Sequence, residues 1–143
     1  MTPPRTRSRP ARPGDPKDMA LMCMAAAHRK KALDLLLLDV GAISGYADYL
    51  LLASGRSTRQ AGAIAEGIER TLKKAGIKPL GLDGIKEGRW ALLDFGDVVV
   101  HVFHQPVREF YDLESLWSDA PRVEVDEATL ESLLPPDTTG DGD

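Results

Sequence analysis

Trp90-Ala-Leu-Leu-Asp-Phe-Gly-Asp-Val-Val-Val-His-Val-Phe-His104 reads as two apolar runs separated by Gly96-Asp97. Two turn-forming residues between two such runs predict a β-hairpin. Just beyond it, Pro106 opens a last helix, where a missing amide costs nothing. Val107, Phe110, Leu113 and Trp117 recur there at helical steps, and Pro121 is the expected stop. Just before the hairpin lie a loop with Gly84 and Gly88 and a short strand over Pro79–Asp83.

Further toward the N-terminus the helical boundaries become explicit. Ser57-Thr-Arg-Gln60 fits a capping box, with Ser57 accepting from the third amide of the helix and Gln60 reaching back to the Ser57 amide. Ala61, Ile64, Ala65, Ile68, Leu72 and Ala75 then form one apolar face, and Gly76 closes the helix. Tyr49–Ala53 and Asp34–Val40 read as strands; the loop between them is too short for a helical crossover, so they pair antiparallel. The four consecutive leucines of the earlier strand predict burial on both faces. A first helix is expected from Asp18, as N-cap, to Lys31. The order α-β-β-α-β-β-β-α predicts an α/β fold: an about five-stranded mixed sheet flanked by helices, with a right-handed crossover at the second helix.

The chain has 143 residues, 43% hydrophobic and 28% charged, which suits one globular domain. No apolar run approaches the roughly 20 residues that span a bilayer, and the Pro- and Arg-rich start lacks a secretory apolar core. The lone Cys23 offers no internal disulfide, and a cytoplasmic location is expected. Charge divides the chain. Arg5, Arg7, Arg9, Arg12 and Lys17 outweigh Asp15 and Asp18, whereas Asp119, Glu124, Asp126, Glu127, Glu131, Asp137, Asp141 and Asp143 face only Arg122. The expected organisation is a disordered basic arm (1–18), a body (19–120) that is neutral over residues 19–117, and an acidic, largely disordered tail (121–143).

The chemistry-bearing motifs are mostly missing. There is neither a Walker-type nor a Rossmann-type glycine loop. Ser54-Gly-Arg-Ser57 sits where a helix N-terminus could hold an anion, but a tight turn explains it equally. His101 and His104 fall on opposite faces of one strand and cannot share a metal; His101 is expected to be an oriented, hydrogen-bonded residue of the sheet. Asp48, Asp94 and Asp97 lie at strand ends or turns, and no strand carries paired carboxylates of the kind that metal-assisted nucleotidyl transfer needs. The body also lacks interleaved basic and aromatic residues, so no sequence-specific nucleic-acid binding is expected. Trp90, Tyr111 and Trp117 are residue types favoured at protein interfaces.

Asp39-Val40, Ala47-Asp-Tyr49, Ser54-Gly-Arg-Ser-Thr-Arg-Gln60, Gly88-Arg-Trp90, Leu93-Asp-Phe-Gly-Asp-Val-Val-Val-His-Val102 and Arg108-Glu-Phe-Tyr-Asp-Leu-Glu-Ser-Leu-Trp117 together resemble the ribosomal silencing factor, or Iojap-related, family. The resemblance covers roughly residues 20–120. It implies a nucleotidyltransferase-like fold without catalytic carboxylates, and a factor that is not an enzyme and uses no cofactor or metal. It further implies binding to the large ribosomal subunit through its protein L fourteen, a steric block to subunit joining that represses translation under nutrient limitation, and a weak homodimer. With the local sequence, it nominates Trp90, Asp94, Tyr111, Glu114 and Trp117 for partner binding. The competing reading is a metal-dependent nucleotidyltransferase using Asp48, Asp94 and Asp97. One departure is Asp83-Gly84, where the family usually has Glu-Gly.

Overall fold

Residues 15–135 are described by the computed structural model; residues 1–14 of the expected arm and 136–143 of the expected tail lie outside them. Helix α1 (Pro16–Arg29) is capped by Asp15, whose carboxylate accepts from the Asp18 amide at 2.8 Å. The cap is therefore three residues earlier than expected. Pro16 fills the first helical position, where proline is tolerated, so residues 15–18 belong to the body rather than to the arm.

Strands β1 (Leu33–Asp39) and β2 (Tyr49–Gly55) pair antiparallel, as expected. Helix α2 (Thr58–Lys74) begins at Ser57, whose hydroxyl accepts from the Gln60 amide at 3.0 Å. The reciprocal bond differs from the capping-box expectation: Gln60 Oε1 accepts from the Arg56 amide at 2.7 Å, not from that of Ser57. At the other end the Gly76 amide donates to Lys73 and the Ile77 amide to Leu72, a Schellman closure that needs Gly76 at φ +84°. Leu72 and Ile77 are both buried beside it.

The chain then forms β3 (Gly81–Asp83), β4 (Trp90–Asp94) and β5 (Val98–His104), followed by α3 (Gln105–Tyr111), a 3-10 turn (Leu113–Trp117) and α4 (Glu127–Ser132). The sheet order is β1-β2-β5-β4-β3, and β2 and β5 are its parallel pair. This is the expected five-stranded mixed sheet. The α2 crossover carries the chain from β2 to the far edge, and the β3–β4–β5 meander returns it beside β2.

Strand alternation sorts the apolar residues onto two faces. Leu37, Leu51, Leu93 and Val100 point to one face and pack with Ala61, Ile64, Ile68 and the alanines of α1. Leu38, Leu50, Leu52, Val99 and Phe103 point to the other, where Val107, Leu113 and Trp117 give a partial cover. In β1 only Leu37 and Leu38 are buried, one on each face. Leu35 and Leu36 are half-buried because β1 is an edge strand.

Two expectations about the C-terminal part are corrected. The tail does not begin at 121. The Asp39 amide donates to the Pro121 carbonyl at 2.9 Å and the Val123 amide to the Leu37 carbonyl at 2.8 Å, extending the sheet edge. Asp126 caps α4, and Leu130 is buried in the first-face core. Arg29 donates to the Pro135 carbonyl at 2.6 Å. An acidic composition hides these few apolar anchors. The last helix also stops early: Asp112 adopts φ +46° after Tyr111 and the chain restarts as a 3-10 turn. Phe110 is consequently 80% exposed instead of sharing a face with Leu113 and Trp117.

Candidate docking face

The second face of the sheet is covered by α3 and the 3-10 turn only in part. Along β4, residues Trp90, Leu92 and Asp94 share that face, and the register sets Trp90 opposite Phe103 and Leu92 opposite His101. The Trp90 ring centroid lies 4.9 Å from that of Phe103, 5.0 Å from Tyr111 and 5.9 Å from His101. Centroid separations in this range are those of favourable tilted aromatic pairs. Phe103 is buried, Trp90 and His101 are half-buried, and Tyr111 is exposed. The cluster thus grades from core to surface.

The Trp90 indole Nε1 donates to His101 Nδ1 at 2.9 Å. This is the oriented, hydrogen-bonded histidine expected of the sheet. Burial lowers its pKa to about 4, because the charged form loses hydration that nothing nearby replaces. The imidazole is neutral at pH 7.

The nominated residues are only partly brought together. Trp90 and Tyr111 touch. Trp117 is half-buried against the second-face core. Glu114 turns inward and accepts from Arg108 Nε at 3.1 Å, so one of its oxygens is committed within the chain. Asp94 lies at the far end of β4, where its Oδ1 accepts from the Gly96 amide at 2.8 Å and shapes the hairpin turn. Its charge also acts on Tyr46 of the β1–β2 loop, whose pKa is raised first by burial and second by Asp94.

Asp48 and Asp97 meet through the backbone. The Asp97 carbonyl accepts from the amides of Asp48 and Tyr49 at 2.8 and 3.0 Å, joining the hairpin turn to the start of β2. Among the described residues no group of three or more His, Cys, Asp or Glu is arranged to hold a metal ion. Ser54-Gly-Arg-Ser57 is a tight turn: a Cβ on Gly55 would stand 2.6 Å from the Ala61 nitrogen. The Ser54 hydroxyl accepts from Arg108 at 2.9 Å.

Sequence reasoning missed Arg108, which is 5% exposed. An arginine on a short helix carries no sign of burial. Its partners Asp34, Ser54 and Glu114 come from three separate segments.

A family model described as ribosomal silencing factor during starvation matches residues 13–140. The chain belongs to the ribosomal silencing factor family. A silencing factor of Bacillus subtilis is 44% identical over 110 residues, 77% of this chain and 93% of that protein. An X-ray structure from Chromobacterium violaceum superposes with a TM-score of 0.72 at 33% identity, covering 83% of this chain and all of the other. A mouse protein named for mitochondrial assembly of the large ribosomal subunit is 30% identical over 100 residues, 68% of this chain and 44% of its own length. The silencing-factor match extends past residue 120, in keeping with the packing of residues 121–135 against the body.

Proposed function

We propose that this silencing factor acts without catalysis, by docking the open part of its second sheet face onto the large ribosomal subunit at protein L fourteen and blocking subunit joining by its bulk. The observation that supports it best is the half-exposed cluster of Trp90, His101, Phe103 and Tyr111 on that face. Large aromatics with a wet edge and a buried base are the usual anchors of protein interfaces. The names of its relatives, silencing factors and a large-subunit assembly protein, point to the same kind of partner. Trp90 and Tyr111 are the anchors of this docking. Asp94 contributes acceptor charge at its edge, and Trp117 and Glu114 support α3 and the 3-10 turn from behind. No metal or nucleotide takes part, and the site of action is the cytoplasm.

The same exposed cluster gives free molecules a motive to pair, since an apolar patch without its partner favours self-association. A weak symmetric homodimer that the ribosomal partner displaces is the expected resting form. The test is subunit joining in vitro. Added protein should reduce formation of joined ribosomes from purified subunits, and Trp90→Ala should not. Undiminished joining at saturating protein would end this reading, as would magnesium-dependent nucleotide turnover that disappears in Asp94→Asn.

A further inference from the structure

We infer that His101 is a positioning residue of the docking face: its Nδ1 fixes the Trp90 indole, and its Nε2–H is presented to a neutral carbonyl oxygen of the partner. The inference rests on the docking reading above and assigns a role to a residue that reading uses only as a ring.

The tautomer follows from the partner. An indole N–H can only donate, so the imidazole nitrogen facing it at 2.9 Å must be the acceptor. A neutral imidazole with Nδ1 as acceptor carries its proton on Nε2. That second nitrogen has no hydrogen-bond partner among the described residues, and it is not among the sealed polar atoms of the interior. His101 is half-buried on the open face, between Phe103 and Val99 along β5 and opposite Leu92. A single free donor therefore stands between the apolar side chains of Val99, Phe103 and Leu92, beside the ring that anchors the docking.

Two consequences fix what it binds. Once the face is covered, an N–H left without an acceptor would cost desolvation, so a partner that offers one is selected over a partner that does not. The acceptor is neutral rather than a carboxylate because the face already carries negative groups. Register places Asp83 opposite Leu92 in the same cross-strand row as His101, and Asp94 follows Leu92 on β4. A partner carboxylate would meet both, whereas a backbone carbonyl would not.

The test uses the full chain and isolated ribosomal protein L fourteen as probe. Indole N–H resonances are recorded with labelled tryptophan, Trp90 being assigned through Trp117→Phe, and affinity is measured by calorimetry. His101→Leu should still fold, since leucine fits beside Val99 and Phe103 and its cost in thermal stability is confined to the Trp90 indole N–H left without its acceptor. It should also shift the Trp90 indole resonance and weaken binding about tenfold, the worth of one net hydrogen bond. His101→Asn, whose amide can both accept from the indole and donate outward, should recover much of the affinity. Should the leucine variant fail to fold, His101→Phe is read by the same criteria. An unshifted indole resonance, or wild-type affinity in the apolar variant, overturns the inference alone. Wild-type protein that does not bind L fourteen at all overturns the docking reading first.

Discussion

Arg108 Nη1 donates to the carbonyl oxygen of Asp34, 74 residues earlier in the chain, at 2.7 Å. Asp34 stands at φ +47°, where β1 slips register against β2 between Leu33 and Leu36. A bulge leaves a ladder group unpaired, and here the guanidinium takes it. The same side chain reaches Ser54 and Glu114. One buried cation thereby ties the edge strand, the end of β2 and the 3-10 turn together behind the aromatic cluster.

Arg108→Met should therefore cost roughly 3 kcal/mol, since it leaves the buried Ser54 hydroxyl, the Asp34 carbonyl and the Glu114 carboxylate without their shared donor. Arg108→Lys should recover only part of this, because an ammonium cannot reproduce the planar set of donors. Urea denaturation of the two variants against wild type measures both effects.

Gly88 should tolerate no side chain. It adopts φ +72°, and a Cβ there would stand 2.1 Å from the Thr58 carbonyl oxygen. Gly88→Ala must displace the loop that feeds Trp90, at a cost of about 2 kcal/mol or more. Gly45→Ala, with nothing within 4 Å of its Cβ, should stay within about 0.5 kcal/mol of wild type. Thermal denaturation of the pair provides the comparison.

Leu130→Ala tests whether α4 belongs to the body. Leu130 is 4% exposed in the core shared with α1, so truncation should destabilise by about 2–3 kcal/mol. Glu124→Gln, on the exposed side of the same segment, should change stability by less than about 0.5 kcal/mol. Equal, negligible effects in denaturant titrations would detach the segment from the fold.

The sign of the pH dependence follows from His101. Burial lowers its folded pKa from 6.5 to about 4, so between those values the unfolded chain holds a proton that the folded chain does not. Stability should fall as pH drops from about 6.5 and level off below about 4, by on the order of 3 kcal/mol at full extent. The titratable groups that share its face or its ring cluster are Asp83 on β3, Asp94 on β4 and Tyr111 on α3. Because the carboxylates titrate on their own account, the His101 contribution is the difference between wild type and His101→Leu across a pH series of melting temperatures.

Hairpin, capped helix and sheet class were legible because each is written locally: Gly96-Asp97 between apolar runs, Ser57 ahead of a periodic face, Gly76 at the end. What sequence could not supply were features fixed at long range. The stop at Asp112 has no proline or glycine to announce it, and it accompanies the return of Glu114 to Arg108. The ordered segment after 121 rests on backbone bonds to β1 and a few apolar side chains scattered among acids, which composition reads as a solvated end. Of the nominated face, Trp90 and Tyr111 meet. Glu114 is turned inward by a pairing that only the folded chain creates.

Sedimentation of the full-length chain with separated ribosomal subunits tests the central claim most directly. The account predicts that wild-type protein travels with the large subunit and not with the small one. Trp90→Ala, folded by circular dichroism, should be left near the top of the gradient, having lost about 2 kcal/mol or more of binding with its anchor. Wild-type protein that stays at the top beside intact large subunits would contradict it.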